Sequence, residues 1–411
     1  MHCVPRFFCA LVLLRVCSAS AASDWPAPAA AELYVTQALA ANLTLQSQTL
    51  GVAAARARLE ATNAARQPQV DFTARYSVAD GGRTIDVPSG DLFNPVYSSL
   101  NTLLGMPGLF PAVKNLSIPL LRTREQDTRL RVTAPLFHPE LSRWSASRKA
   151  ALAAANAQNA AGRRELRLAV LTAYYTALRT QSTEQILVST TTLTSEALRT
   201  SRALFAADKI TEDRVLRAEA DDLAVRQQVT DATRDRVNAI AAFNALLHRP
   251  LDAAIETPPA DELTALTTRL LQAEFSEAGV PESREELAAL QATANEAAEA
   301  EAAFRARLRP KLAFVADVGI QGGGYRFGSG ASYAQASLIG EFNLWDGHQR
   351  SSDLRSARTQ RRQVELRLES VREQLAVELR SATLELAAAR AAFPAADRRT
   401  AAAVRAFEIV S

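Results

Sequence analysis

Twice along the chain a proline separates two kinds of hydrophobic rhythm. At Gln67-Pro68, and again at Arg309-Pro310, an alanine-rich, charge-flecked helical run ends and apolar residues begin to fall on every second position. The residue before a proline is pushed out of the α region, so each proline closes its helix. A change of period from about 3.6 to two then marks a strand with one apolar face. Making this switch twice, some 240 residues apart, points to an internal duplication.

In the first pass, 33–65 is predicted as one helix, with Leu39, Leu43, Leu50 and Leu59 at helical spacing. Val70, Phe72, Ala74, Tyr76 and Val78 then alternate with Gln69, Asp71, Thr73, Arg75 and Ser77 until Gly81-Gly82. A turn-rich stretch holds Pro88, Pro95, Pro107, Pro111 and Pro119. Alternation resumes at Leu130, Val132, Ala134 and Leu136 against Arg129, Arg131 and Thr133, with Pro135 expected where the strand ends.

No proline stands between Pro139 and Pro250. Two helices are predicted there, one over 140–207 and one ending near His248, divided at Asp208-Lys209-Ile210-Thr211. The first would be about 100 Å long at ~1.5 Å per residue. Thr211 is placed to cap the second, with Glu212 and Asp213 in its first turn. Helices of this length need a continuous lateral partner, because propensity alone does not hold them.

After a linker at 251–282 with Pro258, Pro259 and Pro281, the course restarts. Arg284-Glu285-Glu286-Leu287 opens a helix that ends at Pro310. Leu312, Phe314, Ala316, Val318 and Ile320 then alternate with Ala313, Val315, Asp317, Gly319 and Gln321. After Gly322-Gly323-Gly324, Ala336, Leu338, Gly340, Phe342 and Leu344 alternate with Gln335, Ser337, Glu341 and Asn343. Leu344-Trp345-Asp346-Gly347 turns into a last helical segment, in which Pro394 is expected to cause a kink. Pro310 lies 242 residues after Pro68, but Leu344-Trp345 lies only 208 after Leu136-Phe137, so the first hairpin carries about 34 extra residues at its tip.

Arg6, an apolar run over 7–16 and Ser18-Ala19-Ser20-Ala21 form a signal peptide over 1–21, whose run is about half the ~20 residues that span a bilayer. Cys3, Cys9 and Cys17 all lie within it, so a mature chain has no disulfide and no thiolate metal site. A lipid-bearing Cys17 is the alternative, although Leu14-Arg15-Val16 puts basic and bulky residues where small ones are expected.

Charge is nearly balanced at +3 with no long basic block, which argues against nucleic acid. His138, His248 and His348 form no His-x-x-x-His pair, and no Gly-Lys-Ser/Thr follows the glycine run at 322–324. No catalytic residue, cofactor or metal site is therefore predicted, and the chain is not read as an enzyme. No segment after the signal reaches 18 continuous apolar residues, so a membrane crossing would have to be made by strands.

Four strands with one apolar face do not close a barrel alone, whereas three copies would close a twelve-stranded one. In that arrangement Asp71, Arg75, Arg129, Arg131, Asp317 and Glu341 face the lumen. Trp345 would stand at the rim as an interfacial aromatic. A soluble periplasmic helical scaffold or adhesin, of ordinary α+β class, fits the same periodicity.

The chain resembles the outer membrane efflux protein family, of which TolC is the namesake. The resemblance is carried by QALAANLTL and the run to QP, SREELAALQA followed by RARLRPKL, FNLWDGHQR at the strand-to-helix turn, and FAADKITEDRVLRAEADDLAV at the helix hairpin. It implies an α+β membrane protein: an internally duplicated homotrimer with a transmembrane β-barrel and a long periplasmic α-barrel tunnel. It further implies a passive outer-membrane channel working with an inner-membrane transporter and a periplasmic adaptor in tripartite efflux or type I secretion. Asp208, Lys209, Thr211 and Glu212 would then form the adaptor-contact tip. Where the family commonly has glycine near 208 this chain has Asp208, and the family's Asn-Pro is here Asn42-Leu43.

The expected domains are a first repeat over 22–250 and a second over 283–411. The offset of 208 carries the tip at Ala207 to about position 415, so the second repeat is expected to lack its returning helix and the family's gating residues.

Overall fold

The computed structural model describes residues 27–272, 282–325, 327, 328 and 330–410. The expected signal peptide over 1–21, with Cys3, Cys9 and Cys17, and Pro281 lie outside the described residues. The elements in chain order are helices α1 Ala29–Ala41 and α2 Leu43–Ala64, strands β1 Gln69–Val78 and β2 Thr84–Val87, and helix α3 Ser89–Leu103. Strands β3 Leu116–Pro119 and β4 Arg124–Phe137 follow, then helices α4 Pro139–Ala206, α5 Glu212–Leu246, α6 Ala260–Gln272 and α7 Glu285–Ala306. Strands β5 Lys311–Gly322 and β6 Ser332–Glu341 and helix α8 Gln349–Val410 complete the chain.

Two compact units result: Met1–Ala54 with Ala153–Gln291 and Leu366–Ser411, and Ala55–Leu152 with Ala292–Glu365. Each draws on both passes of the chain, so neither coincides with 22–250 or 283–411.

The first unit is helical. Ala31, Tyr34, Val35 and Ala38, at i, i+3, i+4 and i+7 along α1, bury one stripe against Val170 and Tyr174 of α4 and Phe243 and Leu247 at the end of α5. The Tyr34 ring meets Phe243 edge-on at 5.1 Å between centroids, and the Arg249 guanidinium lies 4.8 Å from the Tyr34 centroid. Both phenols use the same backbone unit: Tyr174 donates to the Glu256 carbonyl at 2.9 Å, and the Glu256 amide donates to Tyr34 at 3.0 Å. Burial pushes the Tyr174 phenol up to about 12, so it remains a donor at any physiological pH.

The helix predicted over 33–65 is two helices broken at Asn42. Its backbone is extended there, and its side-chain Oδ1 accepts from the Leu45 amide at 3.1 Å. Asparagine thus caps α2 and restarts the helix without a following proline. The α4–α5 pair is pinned by polar contacts: Thr194 donates to the buried Asp222 at 3.0 Å, and Arg236 pairs with Glu184 at 2.6 Å. Helix α6 lies within the region predicted as linker, and α8 continues as one helix through Pro394. A single missing amide is tolerated there because the turns on either side keep their own bonds.

The second unit holds a four-stranded antiparallel sheet of order β1-β4-β5-β6 and a two-stranded β2-β3 ribbon. Strand β4 begins at Arg124, six residues before Leu130. Polar Arg124, Gln126 and Thr128 occupy the positions that continue the apolar face, which hides the period. The strand continues past Pro135, where its register with β5 shifts before Phe137. The proline-rich insertion does lie at the tip of the β1–β4 hairpin, but it is ordered as β2-α3-β3, not turns alone.

At the β4–α4 junction Glu140 accepts from Arg307 at 2.7 Å and from Trp144 at 3.1 Å. Burial raises the Glu140 carboxyl, but the bonds from Arg307 and Trp144 outweigh it and hold the group below the ordinary glutamate range. A carboxyl depressed in the folded state contributes stability above its unfolded value, near pH 4.3, and that contribution is lost as pH falls through the folded value. Trp144 fluorescence is expected to stay constant down to about pH 4.3 and to change below it. Glu140→Gln should abolish that acid transition; an identical one in the variant would assign it elsewhere.

Candidate functional site

Registers across the sheet separate two faces. Asp71 of β1 opposes Arg131 of β4, which opposes Asp317 of β5, which opposes Gln335 of β6. Arg131 grips Asp317 with two bonds, Nε to Oδ1 at 2.8 Å and an Nη to Oδ2 at 3.0 Å. A second row carries Thr73, Arg129, Gly319 and Tyr333, and a third Arg75, Asp127 and Gln321. Glu341, opposite Lys311, has the same parity as Asp317. The six residues expected to line a lumen therefore have one parity in the sheet.

Gly319 of β5 stands where the neighbouring β4 leaves no room for a side chain. A Cβ there would fall 2.5 Å from the Thr128 carbonyl oxygen and 2.8 Å from the Arg129 Cβ. Glycine leaves that space to Arg129 in the middle of the polar face.

Asp127 was missed by the sequence reading, although it organises this face. It is buried, and Arg129 and Arg75 approach its carboxylate at 3.6 and 3.9 Å. The available signal was its parity with Arg129 and Arg131.

The opposite face carries Val70, Val132, Ala316 and Ala336 in one row and Phe72, Leu130, Val318 and Ala334 in the next. Phe72, Val318 and Leu338 are 68%, 61% and 63% exposed, far above what an apolar sheet face in water normally leaves open. Among the described residues, strands β1 and β6 each pair on one side only. The sheet therefore has an uncovered greasy face, an ion-paired face and two open edges.

The second candidate surface is the α4–α5 turn. Asp208 has a φ of 53°, and the two bonds that close α4 run from the Asp208 amide to the Phe205 carbonyl and from the Lys209 amide to the Leu204 carbonyl, both at 2.9 Å. This is a left-handed C-terminal cap that aspartate fills in place of glycine. Thr211 stands in extended conformation at the start of α5, but its hydroxyl bonds the Asp213 carboxylate and makes no side-chain cap to the backbone. That hydroxyl bond, with Arg217 and Arg214 nearby, holds the Asp213 carboxyl below its usual range. Asp208, Lys209, Thr211 and Glu212 are brought together in one exposed turn.

The histidines have local structural settings. His248, φ 52°, closes α5 with the same cap, and His348, φ 72°, follows Gly347 in the turn before α8. In that turn Asp346 Oδ2 accepts from the Arg350 amide at 3.1 Å and from its Nε at 2.6 Å, while an Arg350 Nη donates to the Asn343 carbonyl at 2.8 Å. Among the described residues there is no cluster of three or more His, Cys, Asp or Glu that could hold a metal, and no helix is long and apolar enough to cross a membrane.

No protein-family model and no curated protein matches the chain. Solved structures do. CusC, studied for folding and transmembrane channel formation, aligns with a TM-score of 0.68 at 15% identity, covering 90% of this chain and 80% of that one. The CmeC outer membrane channel of Campylobacter jejuni aligns at 0.65 and 12% identity over 84% of this chain and 68% of its own. VceC, an outer membrane protein of Vibrio cholerae, aligns at 0.67 and 16% identity over 84% and 76%. The chain has the fold of these outer-membrane channel proteins.

Proposed function

We propose that this chain is a subunit of an outer-membrane channel that passively conducts substrates delivered by an inner-membrane pump through a periplasmic adaptor. The observation that carries the reading is the two-faced sheet with open edges, in a chain whose fold is that of outer-membrane channels. Open edges are not tolerated in hydrocarbon, so such a sheet must be completed by others. Three copies supply twelve strands, with Phe72, Leu130 and Val318 toward lipid and Asp71, Arg75, Arg129, Arg131, Asp317 and Glu341 toward a water-filled lumen. The long helices continue the conduit on the periplasmic side, and the turn at Asp208, Lys209, Thr211 and Glu212 meets the adaptor. The two passes of the chain, 22–250 and 283–411 joined through 251–282, act as repeats that each contribute one strand pair.

The function is transport without chemistry: the energy comes from the partner pump. Arg129→Glu with Arg131→Glu reverses two charges on the lumen face, and ion selectivity in planar bilayers is expected to move toward cations. Conductance with unchanged selectivity would remove those residues from the lumen. Fractionation separates the broader alternatives: a channel stays with detergent-extractable outer membrane, whereas release by osmotic shock would favour a soluble periplasmic scaffold.

A further inference from the structure

The insertion at the tip of the first hairpin contains a helix whose amphipathicity is inverted. Asn94, Tyr97 and Asn101 lie on one face of α3 and turn inward onto the return loop. Asn94 exchanges two bonds with the Val113 backbone, at 2.9 and 2.7 Å, and Asn101 exchanges two with that of Phe110, both 3.0 Å. The Tyr97 ring packs 5.5 Å from that of Phe110. The polar groups of this face are thus used within the insertion, and the opposite face presents Leu92, Val96 and Leu103, which are exposed, Leu103 by 82%. Exposed Met106 and Leu109 extend the surface into the loop.

The charge pattern identifies what covers it. The chain is 22% charged, yet no Asp, Glu, Lys or Arg occurs from Leu92 to Val113. The stretch is entered through Asp86 and Asp91, with Arg83 before them, and left through three cations, Lys114, Arg122 and Arg124. A protein partner would be met by a polar rim and directional groups, but the asparagines here are already satisfied. A lipid surface needs neither, and it suits an apolar face whose flanking basic side chains reach headgroup phosphates. Strands β1 and β4, from which the insertion springs, carry the apolar face assigned to lipid above.

We propose that the outward face of α3 and its following loop lie in the lipid bilayer at the headgroup–hydrocarbon boundary, as an interfacial shelf beside the barrel. The proposal rests on the membrane-barrel reading, and its test keeps the two apart. Leu103→Cys, Phe72→Cys and Lys209→Cys, each in a background free of other cysteines, are nitroxide-labelled in the assembled full chain in phosphatidylethanolamine–phosphatidylglycerol vesicles. Collisions with oxygen are expected to exceed those with a water-soluble nickel chelate at positions 103 and 72, and the order to invert at 209. Val96→Cys provides a second outward position and is expected to behave as 103 does.

Chelate-dominated collisions at 103 and 96, with position 72 still in lipid, would overturn the shelf and leave the barrel standing. Spin–spin broadening at 103 would also overturn it, by showing that a second copy occupies the face. Chelate-dominated collisions at 72 would overturn the barrel and the shelf together.

Discussion

Phe243→Ala is expected to lower the stability of the helical unit by about 3–5 kcal/mol, the range for emptying a buried aromatic site. Phe243 is fully buried, with the rings of Tyr34 and Tyr174 at 5.1 and 5.8 Å and the Arg249 guanidinium 5.5 Å from its centroid. Its removal leaves a cavity among three elements and withdraws one of the two rings against which Arg249 lies. The rigid aromatic neighbours cannot collapse into that space, because both phenols are tethered to Glu256. Urea unfolding followed by far-ultraviolet circular dichroism measures the effect. Phe243→Leu, which keeps most of the volume, should cost less than about 1.5 kcal/mol. Val237→Ala, at an exposed position of the same helix, should stay within about 0.5 kcal/mol. Similar losses at 243 and 237 would mean that the cluster does not hold the unit together.

The sequence made the long elements legible because their signals are redundant. Helix α4 is anticipated to within a residue at each end, since its proline-free run and the Asp208 break mark both limits. The polar face of the sheet was readable for the same reason: strict alternation assigns Asp71, Arg75, Arg129, Arg131, Asp317 and Glu341 one parity, and registers across four strands preserve it. What alternation does not carry is energy from neighbours. Strand β4 extends back to Arg124 because Ser77, Tyr76 and Arg75 of β1 pair with Glu125, Gln126 and Asp127, although those residues have no strand-like pattern of their own.

The insertion hides its order for a related reason. Its prolines suggest turns, yet Pro95 lies inside α3, and the helix is held by asparagine-to-backbone bonds made over nine to 25 residues. Helix α6 carries start signals of its own: Pro259 just before it, and Asp261 and Glu262 in its first turn. The break at Asn42 shows the same substitution of one device for another. A side-chain cap does there what a proline would otherwise do, and local composition does not distinguish a capping asparagine from one on a helix surface.

The largest effect expected on the proposed channel comes from placing a cation on the apolar face. Val318 lies in the row with Phe72 and Leu130, away from the strand ends, and is 61% exposed. In a barrel this position meets hydrocarbon, and arginine at mid-depth costs about 2–4 kcal/mol per site. Three identical copies triple that cost to about 6–12 kcal/mol for the assembly, enough to eliminate detergent-extractable oligomer from the outer membrane. Gln335→Arg supplies the contrast on the other face. Its register partner is Asp317, so the new guanidinium enters water beside a carboxylate, and assembly should stay near the unsubstituted level. Oligomer yield in membrane fractions, read by heat-modifiable migration on gels, therefore distinguishes the faces without reference to transport. A water-soluble scaffold would tolerate both substitutions, because an added charge on its exposed apolar face costs little. Equal tolerance of arginine at 318 and 335 would contradict lipid on that face, and with it the barrel.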